Sequence, residues 1–69
     1  MEWRYNLKEI KQDEYYLIAA LNSSKELTYY VGKPLFDNEN FDNFDCGEDW
    51  IWPEDIIAIT EIEKIKIKA

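Results

Sequence analysis

Histidine is absent from this chain of 69 residues, and cysteine occurs once, as Cys46. Without histidine, catalysis by imidazole is excluded, and so are zinc sites that combine cysteine with histidine. A single cysteine also excludes a four-cysteine metal site and an intramolecular disulfide. We therefore expect Cys46 to be a free thiol in a reducing cytoplasm. Its sequence neighbours Asp45, Glu48 and Asp49 disfavour the thiolate that a nucleophile would need.

Glycine is scarce, with two residues in all, and the chain has no glycine-rich phosphate loop and no nucleophile elbow. A domain this small buries only about 60% of the surface that its unfolded chain exposes. That leaves little room for a concave, desolvated catalytic site. Carboxylate pairs suited to acid–base chemistry are plentiful. Without such a site, however, we predict a non-enzymatic protein with no catalytic residue and no cofactor.

Long hydrophobic runs are missing as well. The longest extends from Tyr15 to Leu21, far short of the roughly 20 apolar residues that a membrane-spanning helix needs. The first residues lack the charged start and apolar stretch of a signal peptide, and the last four are not a lipidation box. We expect a cytoplasmic protein, in the host cytoplasm if a phage encodes it.

Basic residues are missing from the middle of the chain. Between Pro34 and Glu63 there are ten acids and no lysine or arginine, and the whole chain has a net charge of −7. We expect no direct binding to nucleic acid or to an anionic membrane, because phosphate contacts need lysine and arginine. The acidic block has two interpretations, which the sequence leaves open. It keeps a small protein soluble, or it binds a basic protein surface and steers the encounter.

β-branched and aromatic residues are abundant, and they predict strands. Residues 15–21 and 26–31 have strand composition, and the polar residues 22–25 between them predict a hairpin. If the turn has an even number of residues, opposed residue numbers add up to 47 and one face is apolar throughout. This predicted core face consists of Tyr16, Ile18, Ala20, Leu27, Tyr29 and Val31. The opposite face is too apolar to be exposed only to solvent, and we expect the terminal segments or another chain to cover it.

The two ends of the chain also carry strand patterns. Residues 55–62 are rich in isoleucine and predict a strand, although Pro53-Glu54-Asp55 resembles the first turn of a helix. The alternation of lysine and isoleucine over 63–68 suits an edge strand, joined through a bulge near Glu61–Glu63. At the N-terminus we predict a short strand at 2–6, followed by a single helical turn at 7–12.

The predicted fold is mainly β, or α+β with one short helical turn, in a single domain spanning 1–69. A small antiparallel sheet of three or four strands is built around the central hairpin. The segment from Pro34 to Asp49 is predicted to be one long acidic loop, in which a Phe-Asp pair occurs three times. The phenylalanines should anchor it on the sheet while the carboxylates face outward. EF-hand spacing from Asp37 fails because Asp42 stands where the turn needs glycine, so we predict no metal site.

Two tryptophans lie on one side of the extended segment Trp50-Ile51-Trp52, with acidic residues before and after it. Large aromatic side chains fill thin cores, but tryptophan and tyrosine also dominate interface hot spots. We expect at least one of the two to be partly exposed as an anchor within an acidic rim. The predicted partner-binding residues are Asp37, Glu39, Asp42, Asp45, Glu48, Asp49, Trp50 and Trp52.

An early tryptophan, the two hairpin strands and the segment Trp50-x-Trp52-x-x-Asp55-Ile56-Ile57-Ala58 occur in this order along the chain. Together they resemble small phage and prophage proteins of the uncharacterised DUF551 type, over most of residues 3–62. Ile59 stands where that family usually has tryptophan, and no proline follows Ile62. The resemblance implies a small β-rich phage or mobile-element protein of unassigned activity.

Two hypotheses about function follow. In the first, the protein is a non-enzymatic acidic binding protein, encoded by a phage or prophage, whose acidic patch docks on a basic host protein. An inhibitor or DNA mimic acting on a nuclease or defence complex would have this character, because such proteins are small and acidic. In the second, the protein is a structural or assembly module that forms homodimers or larger homo-oligomers through its apolar strands. Added salt should weaken the first kind of binding and not the second.

Overall fold

The β-hairpin formed by the first two strands is the centre of an antiparallel sheet. The computed structural model describes residues 2–62. Its strands are β1 (Tyr16–Leu21), β2 (Leu27–Asp37), β3 (Asn40–Asp45), β4 (Trp50–Ile51) and β5 (Ile56–Glu61), in the sheet order β4-β3-β2-β1-β5. A 3₁₀ turn at Pro53–Asp55 precedes β5. The prediction of a mainly β, antiparallel fold is confirmed, with five strands instead of three or four.

Two ladders of the sheet meet at Gly32 and share one core. The first half of β2 pairs with β1, up to Gly32, and the second half pairs with β3. The rings of Tyr16 on β1 and Phe44 on β3 have centroids 5.5 Å apart. The buried cluster thus joins both halves, and it consists of Tyr16, Ile18, Ala20, Phe44, Ile51 and Ile59.

The predicted register of the hairpin is wrong by one residue. Leu21 pairs with Leu27, so opposed residue numbers add up to 48. The turn has an odd number of residues because Asn22 closes it with Glu26, whose carbonyl accepts a hydrogen bond from the Asn22 N–H at 2.9 Å. Lys25, the last residue before Glu26 in this turn, adopts the left-handed conformation, with φ of 62°. Three-residue hairpin loops are built in this way.

This register divides the predicted core face. Tyr16, Ile18 and Ala20 are buried as predicted, but Leu27, Tyr29 and Val31 lie on the other face of the sheet and are exposed. The register shift moves every side chain of β2 to the opposite face because side chains alternate along a strand. The partners of β1 on the core side are Thr28, Tyr30 and Gly32.

The sequence predicted one long loop from Pro34 to Asp49, and this prediction is wrong, because most of the segment belongs to β2 and β3. Its first part extends β2 to Asp37, and β3 returns beside it after a tight turn at Asn38, where φ is 60°. Pro34 looks like a strand breaker, but it lies beyond the last residue of β2 that pairs with β1. A proline is tolerated there because only one edge of the strand has a neighbour. The three phenylalanines do anchor the segment, since the Phe41 ring lies 4.9 Å from that of Phe44 and 6.0 Å from that of Phe36.

The N-terminal segment forms a bridge and not a helical turn. Arg4 pairs with Ile59 on the outer edge of β5, where two backbone hydrogen bonds of 2.8 and 2.9 Å join them. The predicted turn of helix at 7–12 is wrong, because Glu9 has φ of 58°, which an α-helix does not allow. Leu7 and Ile10 nevertheless pack against the core cluster.

The last strand is confirmed at Ile56–Glu61, and Pro53–Asp55 begins only a 3₁₀ turn. A bulge occurs in β5 at Ile57, since Ala19 pairs with Ala58 while Ala20 pairs with Ile56. The bulge predicted near Glu61–Glu63 and the edge strand predicted at 63–68 extend outside the described residues.

Candidate functional site

The acidic side chains selected from the sequence are all exposed, as predicted for the segment between β2 and β4. Along β3 the chain turns Phe44 inward and Asp45 outward, because side chains alternate across a strand. A bulge in the β2–β3 pairing inserts Asp42, which is also exposed. The six exposed carboxylates are those of Asp37, Glu39, Asp42, Asp45, Glu48 and Asp49.

The structure separates these carboxylates into two groups. Asp37 and Glu39 flank the β2–β3 turn, next to Asn40 at the start of β3. Asp45 lies at the other end of that strand, about 17 Å away for five steps along an extended chain. Glu48 and Asp49 follow it in the β3–β4 turn. Asp37 and Glu39 therefore lie at the end of β3 that is distant from Trp50, and Asp42 lies between the two groups.

The turn between β3 and β4 holds the second group in place. The Gly47 N–H donates to Asp45 Oδ1 at 3.0 Å, and the Cys46 N–H donates to the Asp49 carbonyl at 2.9 Å. Gly47 has φ of 88°, a conformation that favours glycine. On leaving the turn, Trp50 pairs directly with Asp45 across the two strands. Directly opposed side chains lie about 5 Å apart at their β-carbons, so this carboxylate and this indole are neighbours.

Both tryptophans are exposed, which confirms the expectation for at least one of them. Trp50 retains 62% of its accessible surface and Trp52 retains 44%, while Ile51 between them is buried. The alternation follows from the extended backbone, which continues through Trp52 to the 3₁₀ turn. Exposed tryptophans cost solvation free energy without improving solubility, so they point to a contact surface.

Trp50 and Asp49 line a cleft of about 330 Å³ between β4 and the β1–β2 turn. We call it the acidic cleft. It brings together two carboxylates, two aromatic rings, one amide and one ammonium group, which belong to Asp49, Asp55, Tyr30, Trp50, Asn22 and Lys25. Among the described residues that line the cleft, Lys25 is the only base. Carboxylates beside aromatic faces attract cationic groups, so the cleft suits an ammonium or guanidinium group.

Four of these six cleft residues were missed as site residues in the sequence: Asp55, Tyr30, Asn22 and Lys25. Asp55 belongs to the acidic block, but only the 3₁₀ turn, closed by the Asp55 N–H donating to the Trp52 carbonyl at 3.0 Å, brings it back toward Asp49. Tyr30, Asn22 and Lys25 come from the hairpin, distant in sequence from Asp49. Their approach to β4 depends on the packing of the sheet, for which the sequence carries no local signal.

Cys46 lies beside the cleft residues, and its reactive thiolate form is disfavoured. Burial raises the pKa of its thiol from 9.0 to about 11, and the neighbouring carboxylates of Asp45 and Asp49 add to the increase. This agrees with the expectation that the thiolate is disfavoured, although burial contributes more than charge. Since the thiolate is the nucleophilic form, Cys46 is poorly suited to covalent catalysis.

Two further observations concern metals and membranes. Within residues 2–62, no group of three or more cysteine and carboxylate side chains is arranged to hold a metal ion. No helix in that part of the chain has the length and apolar character needed to cross a membrane. Comparison with known proteins adds no assignment: no family model, no curated protein and no solved structure matches the chain.

Proposed function

We propose that the protein is a non-enzymatic binding module that docks its acidic cleft on a basic protein surface. The observation that carries the proposal is the convergence of Asp49, Asp55 and the exposed ring of Trp50 on one cleft. A purely solubilising set of acids has no reason to surround an exposed tryptophan. In this proposal Trp50 is the aromatic anchor, and the carboxylates recognise a lysine or arginine of the partner.

The charge distribution supports a protein partner over a nucleic acid. With a net charge of −7, the chain repels phosphate backbones and attracts basic proteins. Basic proteins include those that bind nucleic acids. Given the resemblance to phage proteins, we propose the nucleic-acid channel of a host nuclease or defence complex as the first partner to test. In that role the protein would act as an inhibitor or DNA mimic in the host cytoplasm.

The proposal can be tested with an oligolysine peptide and an oligoarginine peptide as cationic probes. Titration is followed by tryptophan fluorescence and by NMR shifts of cleft amides, including that of Trp50, at low and physiological salt. We expect saturable binding at low salt, weaker binding at physiological salt, and shifts that centre on Trp50 and Asp55. If neither peptide binds at low salt, the proposal is wrong.

A matched pair of variants separates the cleft from general charge. The double variant Asp49→Asn with Asp55→Asn removes two charges from the cleft, and Asp37→Asn with Glu39→Gln removes two from the distant turn. We expect the cleft variant to bind the peptides about tenfold more weakly, a difference of ~1.4 kcal/mol. The turn variant should change affinity much less. Equal weakening by both would mean that the acids act only through net charge. Circular dichroism checks that both variants are folded.

A further inference from the structure

The face of the sheet opposite the core is apolar over its central strands. The register places Leu27, Tyr29 and Val31 on this face, where they are 53%, 59% and 54% exposed. From the N-terminal segment, Tyr5 is 77% exposed near the same strands. Exposed apolar side chains scattered singly need no explanation, but a contiguous set of this kind marks an interaction surface. We call this surface the outer face.

A groove of about 190 Å³ runs through the outer face. Ala19 and Ala58 are opposed partners on β1 and β5, and their short side chains form its floor. Tyr5 lies on one side and Leu27 on the other, while the rings of Trp3 and Tyr29 approach to 6.1 Å. Of the described residues that line the groove, none carries a charge. Its occupant must therefore be apolar.

The outer face carries both parts of a self-complementary interface. It has a groove with an alanine floor, and beside that groove it has protruding side chains, those of Leu27, Tyr29 and Val31. In a two-fold dimer each copy offers the same patch, so protrusions of one copy can enter the groove of the other. We propose that the outer face is the interface at which a second copy of this chain binds.

The area of this face and its lack of charge are both compatible with a second copy of the chain as the occupant. The exposed parts of the five largest apolar side chains offer on the order of 500 Å² per copy, or about 1,000 Å² in the dimer, the lower limit for a specific interface. We therefore expect micromolar affinity. The lining of the groove is uncharged, so two copies bring no like charges together at the groove itself. The repulsion between two chains of charge −7 is weakened by salt.

Analytical ultracentrifugation over micromolar to millimolar protein, at low and high salt, tests this inference. We expect a monomer–dimer equilibrium that shifts toward the dimer as salt rises, because screening removes repulsion while apolar contacts persist. This response is opposite to that expected for the acidic cleft, so the two proposals can fail separately. A chain that stays monomeric at millimolar concentration and high salt would overturn the inference and leave the face to a different apolar partner.

Substitutions on β2 locate the interface. Tyr29→Glu should shift the dissociation constant at least tenfold toward the monomer, because it places a charge at the groove. Leu35→Glu is the control, since Leu35 is exposed on the same strand but outside the groove. If Leu35→Glu weakens the dimer as much as Tyr29→Glu does, the interface lies elsewhere. Concentration-dependent NMR shifts at Ala19 and Ala58 in the wild-type chain give an independent readout that requires no variant.

Discussion

Gly32 lies where the sheet has no room for a side chain. A β-carbon added there would lie 2.4 Å from the Asp45 carbonyl oxygen and 2.5 Å from Cys46 Sγ, closer than side chains can approach. Gly32→Ala therefore forces β2 away from Asp45 and Cys46, and we expect a loss of about 1–3 kcal/mol in the free energy of unfolding. Urea denaturation measures this loss.

Gly47 provides the matched control for that substitution. It has φ of +88° and open space around the position of a β-carbon. Gly47→Ala introduces backbone strain alone, and we expect it to lower the free energy of unfolding by about 1 kcal/mol. If Gly32→Ala destabilises the protein less than Gly47→Ala does, the close approach at Gly32 is not as the structure has it.

The thiol of Cys46 gives a prediction about pH. Its pKa rises from 9.0 to about 11 on folding, mainly through burial. At pH 8 the folded chain should react with iodoacetamide about 100-fold more slowly than the chain unfolded in urea, because the thiolate is the reactive form. The rate in the folded protein should climb until the pH reaches about 11. An inflection at pH 9 or below would contradict the prediction.

The same shift has a consequence for stability. The folded state holds the thiol proton more tightly than the unfolded state does. The favourable contribution is therefore complete below pH 9.0 and is lost as the pH rises through about 11. Burial also raises the pKa of the Tyr16 hydroxyl, which accepts a hydrogen bond from the Lys11 N–H at 2.9 Å. The contribution of Tyr16 to stability is likewise lost as the pH rises into the alkaline range.

At the scale of elements, the β1–β2 turn decides which side of β2 faces the core. The Asn22 side chain organises the turn, since its Oδ1 accepts hydrogen bonds from the N–H groups of Ser24 and Glu26 at 2.9 and 3.0 Å. Lys25 completes it with φ of 62°. Because this conformation is strained for lysine, Lys25→Gly should raise the free energy of unfolding by about 0.5–1 kcal/mol in thermal or urea denaturation.

Ser24→Gly is the control within the same turn. Ser24 does not have a positive φ, so glycine there relieves no strain and only adds freedom to the unfolded chain. We expect a small loss of stability. Should Ser24→Gly stabilise the protein as much as Lys25→Gly does, the left-handed conformation of Lys25 would not be the reason.

At the scale of the whole molecule, different side chains line the two proposed surfaces. The acidic cleft forms where β4 meets the β1–β2 turn, whereas the groove of the outer face spans β1, β2, β5 and the N-terminal segment. One surface is charged and the other is not, so we expect salt to weaken the proposed binding at the first and to strengthen the proposed dimer at the second. A dimer with an acidic cleft on each copy would engage a basic partner at two points, which raises its overall affinity without new contacts.

The sequence by itself determined the properties that depend on local pattern. β-branched and aromatic runs established the mainly β class, the hairpin and β5, because strand propensity and alternation are local. The apolar character of the phenylalanines also correctly predicted that they anchor the segment while its carboxylates face outward, and the Trp-x-Trp spacing in an acidic rim predicted an exposed tryptophan. The segment after Pro34 was missed as a strand, because proline and the Asp-Asn pairs favour loops unless a neighbouring strand satisfies the backbone.

Only the tertiary structure decided the rest. The register depended on the β1–β2 turn, in which Lys25 adopts a left-handed conformation that is uncommon for lysine. The one-residue shift in register places Tyr30 instead of Tyr29 on the core side of the sheet, and it leaves the outer face apolar. The acidic cleft needed the packing of the hairpin turn near β4 and the 3₁₀ turn that returns Asp55 to Asp49. Contacts between residues distant in sequence leave no periodic signal, because they arise from how strands pack and not from how any one strand is composed.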